Sequence, residues 1–293
     1  MDTPQIVSLL TTGGTIACTT DAAGALVPTL SGEDLAAGLR PRLHPDRVRL
    51  RVRELGRLDS SSLRPRDVDE IVAAAHRELE DPSVAGVVIT HGTDSLEETA
   101  LALDAFHGDN RPVVLTGAMR PGDAAAPDGP DNLFDACTIA LDPAARGMGV
   151  LIVLGHKVLP ARGTVKEHTS DLAAFAYRGP QEPTRPAALP VAPLDGHRVD
   201  VIAAYPGAPR DAIDAALDAG AQGIVVEALR RGVPVVVTTR AAHGEVRFDY
   251  GGPGGGASLG ALGAIGSGHL RAGQARTALL VALATGTDPR ALF

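Results

Sequence analysis

The sequence predicts an α/β protein of two domains: a larger N-terminal one on a mostly parallel sheet and a smaller C-terminal one. Three observations carry this. Apolar runs of strand length recur, and most are continuous rather than alternating, as in strands covered on both faces. Stretches of helical period separate them, and strand-helix alternation builds a parallel sheet with helices on both sides. The 293 residues exceed what one core usually serves, and five prolines fall within 179–198. Proline at that density suits an extended linker, which divides the chain into 1–178, a linker over 179–198, and 199–293.

In order, strands are expected at IVSLL (6–10), VRLRV (48–52), VAGVVIT (84–90), VVLTG (113–117), VLIVL (150–154), VDVIAAY (199–205), GIVV (223–226) and VPVVVTT (233–239). VRLRV alternates and reads as a sheet edge. Between the first two, Ser31 caps a helix through SGEDLAAGL. Residues 66–80 place Val68, Ile71, Val72 and Ala75 on one face before Asp81-Pro82 stops the helix. After the third strand, Leu96, Ala100, Leu103 and Phe106 form another stripe. GGPGGGASLG (251–260) reads as a flexible loop.

Composition narrows the function. A net charge of −8 without a basic run disfavours nucleic acid as a partner. No apolar stretch reaches the ~20 residues of a membrane span, and Met1 leads almost directly into a strand, so a cytoplasmic location is expected. Cys18 and Cys137 are expected to be buried free thiols. The nine histidines show no ligand spacing, and neither GxxxxGK[ST] nor GxGxxG occurs; no metal and no cofactor are expected. Lysine is rare, with Lys157 and Lys166 against twenty-five arginines. Where arginine serves almost everywhere, a lysine has the distinct property that it can lose its proton.

Two strand ends are chemically loaded. The first is LLTTGGTIA (9–17), where hydroxyls flank two glycines. Glycines permit a plain turn or an anion-binding nest, and they also let backbone N–H groups approach a reacting carbonyl that a threonine oxygen attacks. The second is THGTDSLEETA (90–100). Asp94 and Glu97 have the spacing of a capping box, which explains neither Thr93 nor His91. A threonine nucleophile needs a base, and Lys166 in RGTVKEHTSD is of the right type. A Thr93-Asp94-Lys166 relay is the resulting expectation, with His91 serving the turn.

TGGTIA (12–17) and HGTDSLEETA (91–100) resemble the two signature segments of the bacterial L-asparaginases, and RPVVLTGAMRP (111–121) with DGPDNL (128–133) is similar to the segment that follows. The resemblance extends over nearly the whole chain. It implies a flavodoxin-like larger domain, a smaller α/β domain, and a homodimer or homotetramer with sites near a subunit interface. It also implies an amidohydrolase that converts L-asparagine to L-aspartate and ammonia through an acyl-enzyme. By motif position, Thr12 matches the nucleophilic threonine, while Thr93, Asp94 and Lys166 match the second-threonine group. Asp94 also matches the carboxylate that holds the substrate's α-amino group. DSSSL (59–63) falls where the family binds the α-carboxylate, pointing to Asp59, Ser60 and Ser61, and Ala118 matches a position whose backbone faces the side-chain amide.

Two departures stand out. The family carries a tyrosine on the loop after TGGTIA, where this chain has Ala25 or Leu26. After GIVV only EALRRG precedes VPVVV; a parallel crossover needs about a dozen residues, so these runs are not expected to be joined as neighbouring parallel strands through a helix, and a locally rearranged smaller domain or a deletion is predicted. A dual asparaginase-glutaminase, a tRNA-dependent amidotransferase subunit and a catalytically weak amino-acid-binding module are the alternative readings. The acidic balance and the lack of a tRNA-binding extension count against the amidotransferase.

Overall fold

The computed structural model describes residues 4–44, 46–203, 208–226, 233–249 and 256–293. The chain divides into two compact units, Met1–Tyr177 and Arg178–Phe293.

In the first unit, six strands form one sheet: β1 (Gln5–Gly13), β2 (Val48–Leu58), β3 (Val84–Thr90), β4 (Val113–Thr116), β5 (Val150–Leu154) and β6 (Lys157–Pro160). Their order is β2-β1-β3-β4-β5-β6. All pairings are parallel except β5 with β6, so the expected mostly parallel, flavodoxin-like sheet is present with one antiparallel strand at its margin. The alternating VRLRV run lies in β2, at the opposite edge.

Burial follows chemistry. Every residue of β3, β4 and β5 is buried, whereas β2 is only half-buried. Helices α1 (Gly32–Leu39) and α4 (Gly129–Leu141) cover one face, where Val7 and Leu9 of β1 pack with Ala36, Leu39, Leu133 and Ala136. Helices α2 (Pro65–Leu79) and α3 (Leu96–Phe106) pack against each other and against the sheet. Ser31 starts α1 as expected: its hydroxyl accepts from the Asp34 N–H, and the Asp34 carboxylate accepts from the Ser31 N–H. Arg111 ties the end of α2 to the entry of β4, donating to the Leu79, Asp81 and Val84 carbonyls and to Asp109.

Two antiparallel ribbons were not expected. Cys18–Thr20 pairs with Leu26–Pro28, and Thr164–Lys166 pairs with Phe175–Tyr177. Three-residue strands are too short to leave a period in the sequence.

The second unit has four parallel strands in sequential order: β7 (Val199–Ile202), β8 (Gly223–Val226), β9 (Val235–Val237) and β10 (Ile265–Gly266). Helices α5 (Asp211–Asp218), α6 (Gly256–Ala261) and α7 (Ala272–Thr285) accompany them, with α7 against β7 and β8. Residues 178–198 carry no helix or strand and group with this unit; Leu194 is buried, and the Arg198 N–H donates to Gln222.

β8 and β9 are neighbouring parallel strands, and the expectation that no helix joins them falls on EALRRG. The connecting EALRRG, 227–232, lies outside the described residues. Ile224 is paired with Val235 and Val225 with Val236. One expectation is corrected here, the reading of GGPGGGASLG as a loop: 251–255 lie outside the described residues, but 256–260 are helical. Gly256 and Gly260 serve close packing there, since a Cβ at either would stand 2.8 or 2.7 Å from Phe248 atoms.

Candidate active site

The strand order reverses at β1 and β3, and ligands of such sheets lie beyond the carboxyl ends of strands at that point. Register aligns those ends: Thr11 of β1 faces Thr90 of β3, which faces Thr116 of β4. The loops leaving these strands therefore start at one level.

Thr12 stands one residue past that row and is buried. Its hydroxyl donates to the Thr90 carbonyl at 2.8 Å. The glycines that follow have a definite task. Gly13 and Gly14 take φ of 98° and 80°, where side chains are strained, and a Cβ on Gly14 would lie 2.5 Å from the Gly92 nitrogen. The chain after β1 thus rests directly on the chain after β3.

Past β3, His91 is buried, its backbone N–H donates to Thr116, and its Nδ1–H donates to the Gly92 carbonyl at 2.7 Å. Burial pushes the imidazole down to about 4, so the ring is neutral and shapes the turn. Thr93, also buried, accepts a hydrogen bond from Lys166 Nζ at 2.8 Å. The same amine donates to Asp94 Oδ1 at 2.7 Å. The Lys166 side chain is 19% exposed and that of Asp94 61%, so the cluster has a dry side and an open side. The capping box suggested by Asp94 and Glu97 does not form. Ser95 is the N-cap residue of α3 and makes no side-chain cap bond, while Asp94 is drawn to Lys166 and Glu97 to the Lys166 backbone.

The segment after β2 joins the same cluster. Asp59 caps a single turn over Ser60–Ser62, accepting from the Ser61 N–H and hydroxyl at 3.0 and 2.9 Å. Ser60 is buried; its hydroxyl accepts from the Asp94 N–H at 3.3 Å and its carbonyl from the Ser95 hydroxyl at 2.6 Å. Ser61 and Asp59 stay at the surface side. After β4, Ala118 is fully buried. Sequence reasoning gave no role to the residues that hold it. The Asp128 carboxylate accepts from the Met119 and Arg120 N–H groups, both at 2.9 Å. Asn132 donates to the Gly117 carbonyl at 3.0 Å and accepts from the Gly155 N–H at 2.9 Å. Both lie in the DGPDNL segment, where an acid and an amide at a helix start were the signal that could have found them.

The structure thus brings Thr93, Asp94 and Lys166 into one hydrogen-bonded group and packs the Thr12 and Ser60 segments against it through Gly14 and Gly92. Among the hydrogen bonds of the described residues, none joins the Thr12 hydroxyl to Thr93 or Lys166. Ala25 and Leu26, at the position of the family's loop tyrosine, are exposed and carry no hydroxyl. Tyr177 lies in the second ribbon, while Tyr205 and Tyr250 are outside the described residues. Among the described residues no group of three or more His, Cys, Asp or Glu is arranged to hold a metal, and no helix is long and apolar enough to cross a membrane.

Two family domains match the chain: asparaginase, N-terminal, over residues 6–185, and the glutaminase/asparaginase C-terminal domain over residues 227–292. The chain belongs to the asparaginase family. Within the family it is similar to a probable L-asparaginase of Deinococcus radiodurans, 39% identical over 235 residues, 69% of this chain and 72% of that one. An L-asparaginase of Bacillus licheniformis is 32% identical over 279 residues, 84% of this chain and 86% of that one. The crystal structure of a probable cytoplasmic L-asparaginase from Campylobacter jejuni superposes with a TM-score of 0.84 at 27% identity, covering 98% of each chain. The asparaginase fold is accordingly shared across both units.

Proposed function

We propose that this chain hydrolyses L-asparagine to L-aspartate and ammonia through a threonine ester. The observation that carries the reading is the Lys166 amine held between the Thr93 hydroxyl and the Asp94 carboxylate, beside a loop that presents Thr12. Thr12 Oγ1 attacks the amide carbon; the C–N bond breaks, the nitrogen leaves as ammonia with the hydroxyl proton, and an aspartyl ester remains. Water then attacks the ester, aspartate leaves, and Thr12 regains its proton. Thr93, Lys166 and Asp94 relay protons in these steps.

A small zwitterion needs a carboxylate for its ammonium and neutral donors for its carboxylate. Asp94, exposed on its outer side, takes the first role, and Ser60 and Ser61 take the second, with Asp59 beside them holding the Ser60–Ser62 turn. The Ala118 backbone faces the side-chain amide. We extend the reading to a cytoplasmic homodimer or homotetramer, which light scattering on the purified protein tests.

Ammonia release from asparagine, with a lower kcat/KM for glutamine, is the expected result. Thr12→Ala and Thr93→Ala should each abolish turnover while aspartate binding persists; unaltered rates would remove those residues from the mechanism. One observation favours a second reading, a binding module of low turnover: the first ribbon carries exposed Leu26 where the family has its loop tyrosine. Asparagine raising Tm without ammonia release would decide for it.

A further inference from the structure

The antiparallel ribbon that carries Lys166 is short, and something must set its height against α3. The Glu167 N–H donates to the Ala174 carbonyl, so 167 and 174 form a hydrogen-bonded pair. Such pairs alternate with non-hydrogen-bonded ones, and Lys166 opposite Phe175 is therefore one of the latter. Its backbone N–H points out of the ribbon. There it meets Oε2 of Glu97, in the first turn of α3. An outward N–H at a half-buried site needs such an acceptor, and this one lies on the same residue whose amine reaches Thr93 and Asp94.

We propose that Glu97 is the positioning residue for Lys166: its carboxyl group fastens the Lys166 backbone to α3 and so fixes where the amine stands between Thr93 and Asp94. The inference rests on the proton-relay role given to Lys166 above. Burial and the neighbouring Glu98 push the Glu97 carboxyl up to about 8, against a smaller opposing pull from Lys166. At neutral pH it is chiefly protonated. A neutral acid keeps an acceptor oxygen for the Lys166 N–H without adding a second negative charge beside the Lys166-Asp94 pair. Glutamine reproduces that acceptor and alanine removes it.

The experiment compares Glu97→Gln and Glu97→Ala with the full-length wild type in two readouts. Steady-state kinetics on asparagine should show kcat falling on the order of 100-fold in Glu97→Ala, the scale of a small misplacement of a reacting group, with KM within twofold. Glu97→Gln should recover most of the loss. Limiting acetylation of the folded protein, followed by peptide mass spectrometry, should show Lys166 reacting several-fold faster in Glu97→Ala and unchanged in Glu97→Gln. With only two lysines in the chain the signal is unambiguous. Wild-type kcat in Glu97→Ala, equal impairment in both variants, or an unchanged Lys166 labelling rate overturns the proposal. Should the wild type release no ammonia, the asparaginase reading fails and the labelling alone decides whether Glu97 fastens Lys166.

Discussion

Gly14 and Gly92 pack backbone to backbone: a Cβ placed on Gly14 would come within 2.5 Å of the Gly92 nitrogen and 2.6 Å of its Cα. Neither contact is with a flexible side chain, so the neighbouring chain would have to move. Gly14→Ala should therefore cost about 2 to 4 kcal/mol and abolish turnover, read by urea unfolding and ammonia release. Gly24 is the control. It has a φ of 83° but nothing within 4 Å of the place a Cβ would occupy, so Gly24→Ala should cost only about 1 kcal/mol and leave activity intact.

Lys166 is asked to exchange a proton as well as to bind. Lys166→Arg keeps a positive charge near Asp94 but cannot give up its proton, and Lys166→Met removes both functions. Both should lower kcat by about 1,000-fold or more, since relay groups act as a unit. An active Lys166→Arg enzyme would leave the lysine with a purely electrostatic task.

His91, buried, and Glu97, half-buried, give opposite pH signatures. His91 is held at about 4, below the ordinary 6.5, so its contribution is complete above 6.5 and lost as pH falls toward 4. Glu97 is raised from 4.5 to about 8, so its contribution is complete below 4.5 and lost as pH rises toward 8. Each slope is at most about 1.4 kcal/mol per pH unit. Urea midpoints between pH 4 and 9 should show His91→Gln flattening the acid limb and Glu97→Gln the alkaline limb. Asp109, kept at about 2 chiefly by its hydrogen bond from Arg111, loses its contribution mainly below that window, as pH falls from the ordinary 3.8 toward 2.

Asn132 links the loop after β4 to that after β5 through the Gly117 carbonyl and the Gly155 N–H. Asn132→Ala strands both groups and should cost about 2 to 4 kcal/mol, seen as a lower urea midpoint. Its effect on kcat should exceed that of Gly24→Ala, because the Ala118 segment loses its support.

Much of the larger unit was legible in the sequence because its strands are covered on both faces. Continuous runs such as VAGVVIT and VLIVL leave few other readings, and Ser31 with Asp34 is a strong local start signal. The three-residue ribbons were not legible, because so few residues leave no period. Gly256 and Gly260 misled because composition does not distinguish a glycine needed for freedom from one needed for contact with Phe248. In the site, motif positions named Thr93, Asp94 and Lys166 together, but the supporting residues escaped. Asp94 and Glu97 read as one capping box, whereas the fold sends them separately to the amine and the backbone of Lys166.

Ser60 bears on how this site can be rebuilt. Its hydroxyl and carbonyl are both committed to the 94–95 stretch, and Gly92 leaves no room beneath it. Transplanting one segment from a homologue would put unmatched surfaces in contact. A chimera that keeps its fold must exchange the 12–14, 59–62 and 91–95 stretches as a set.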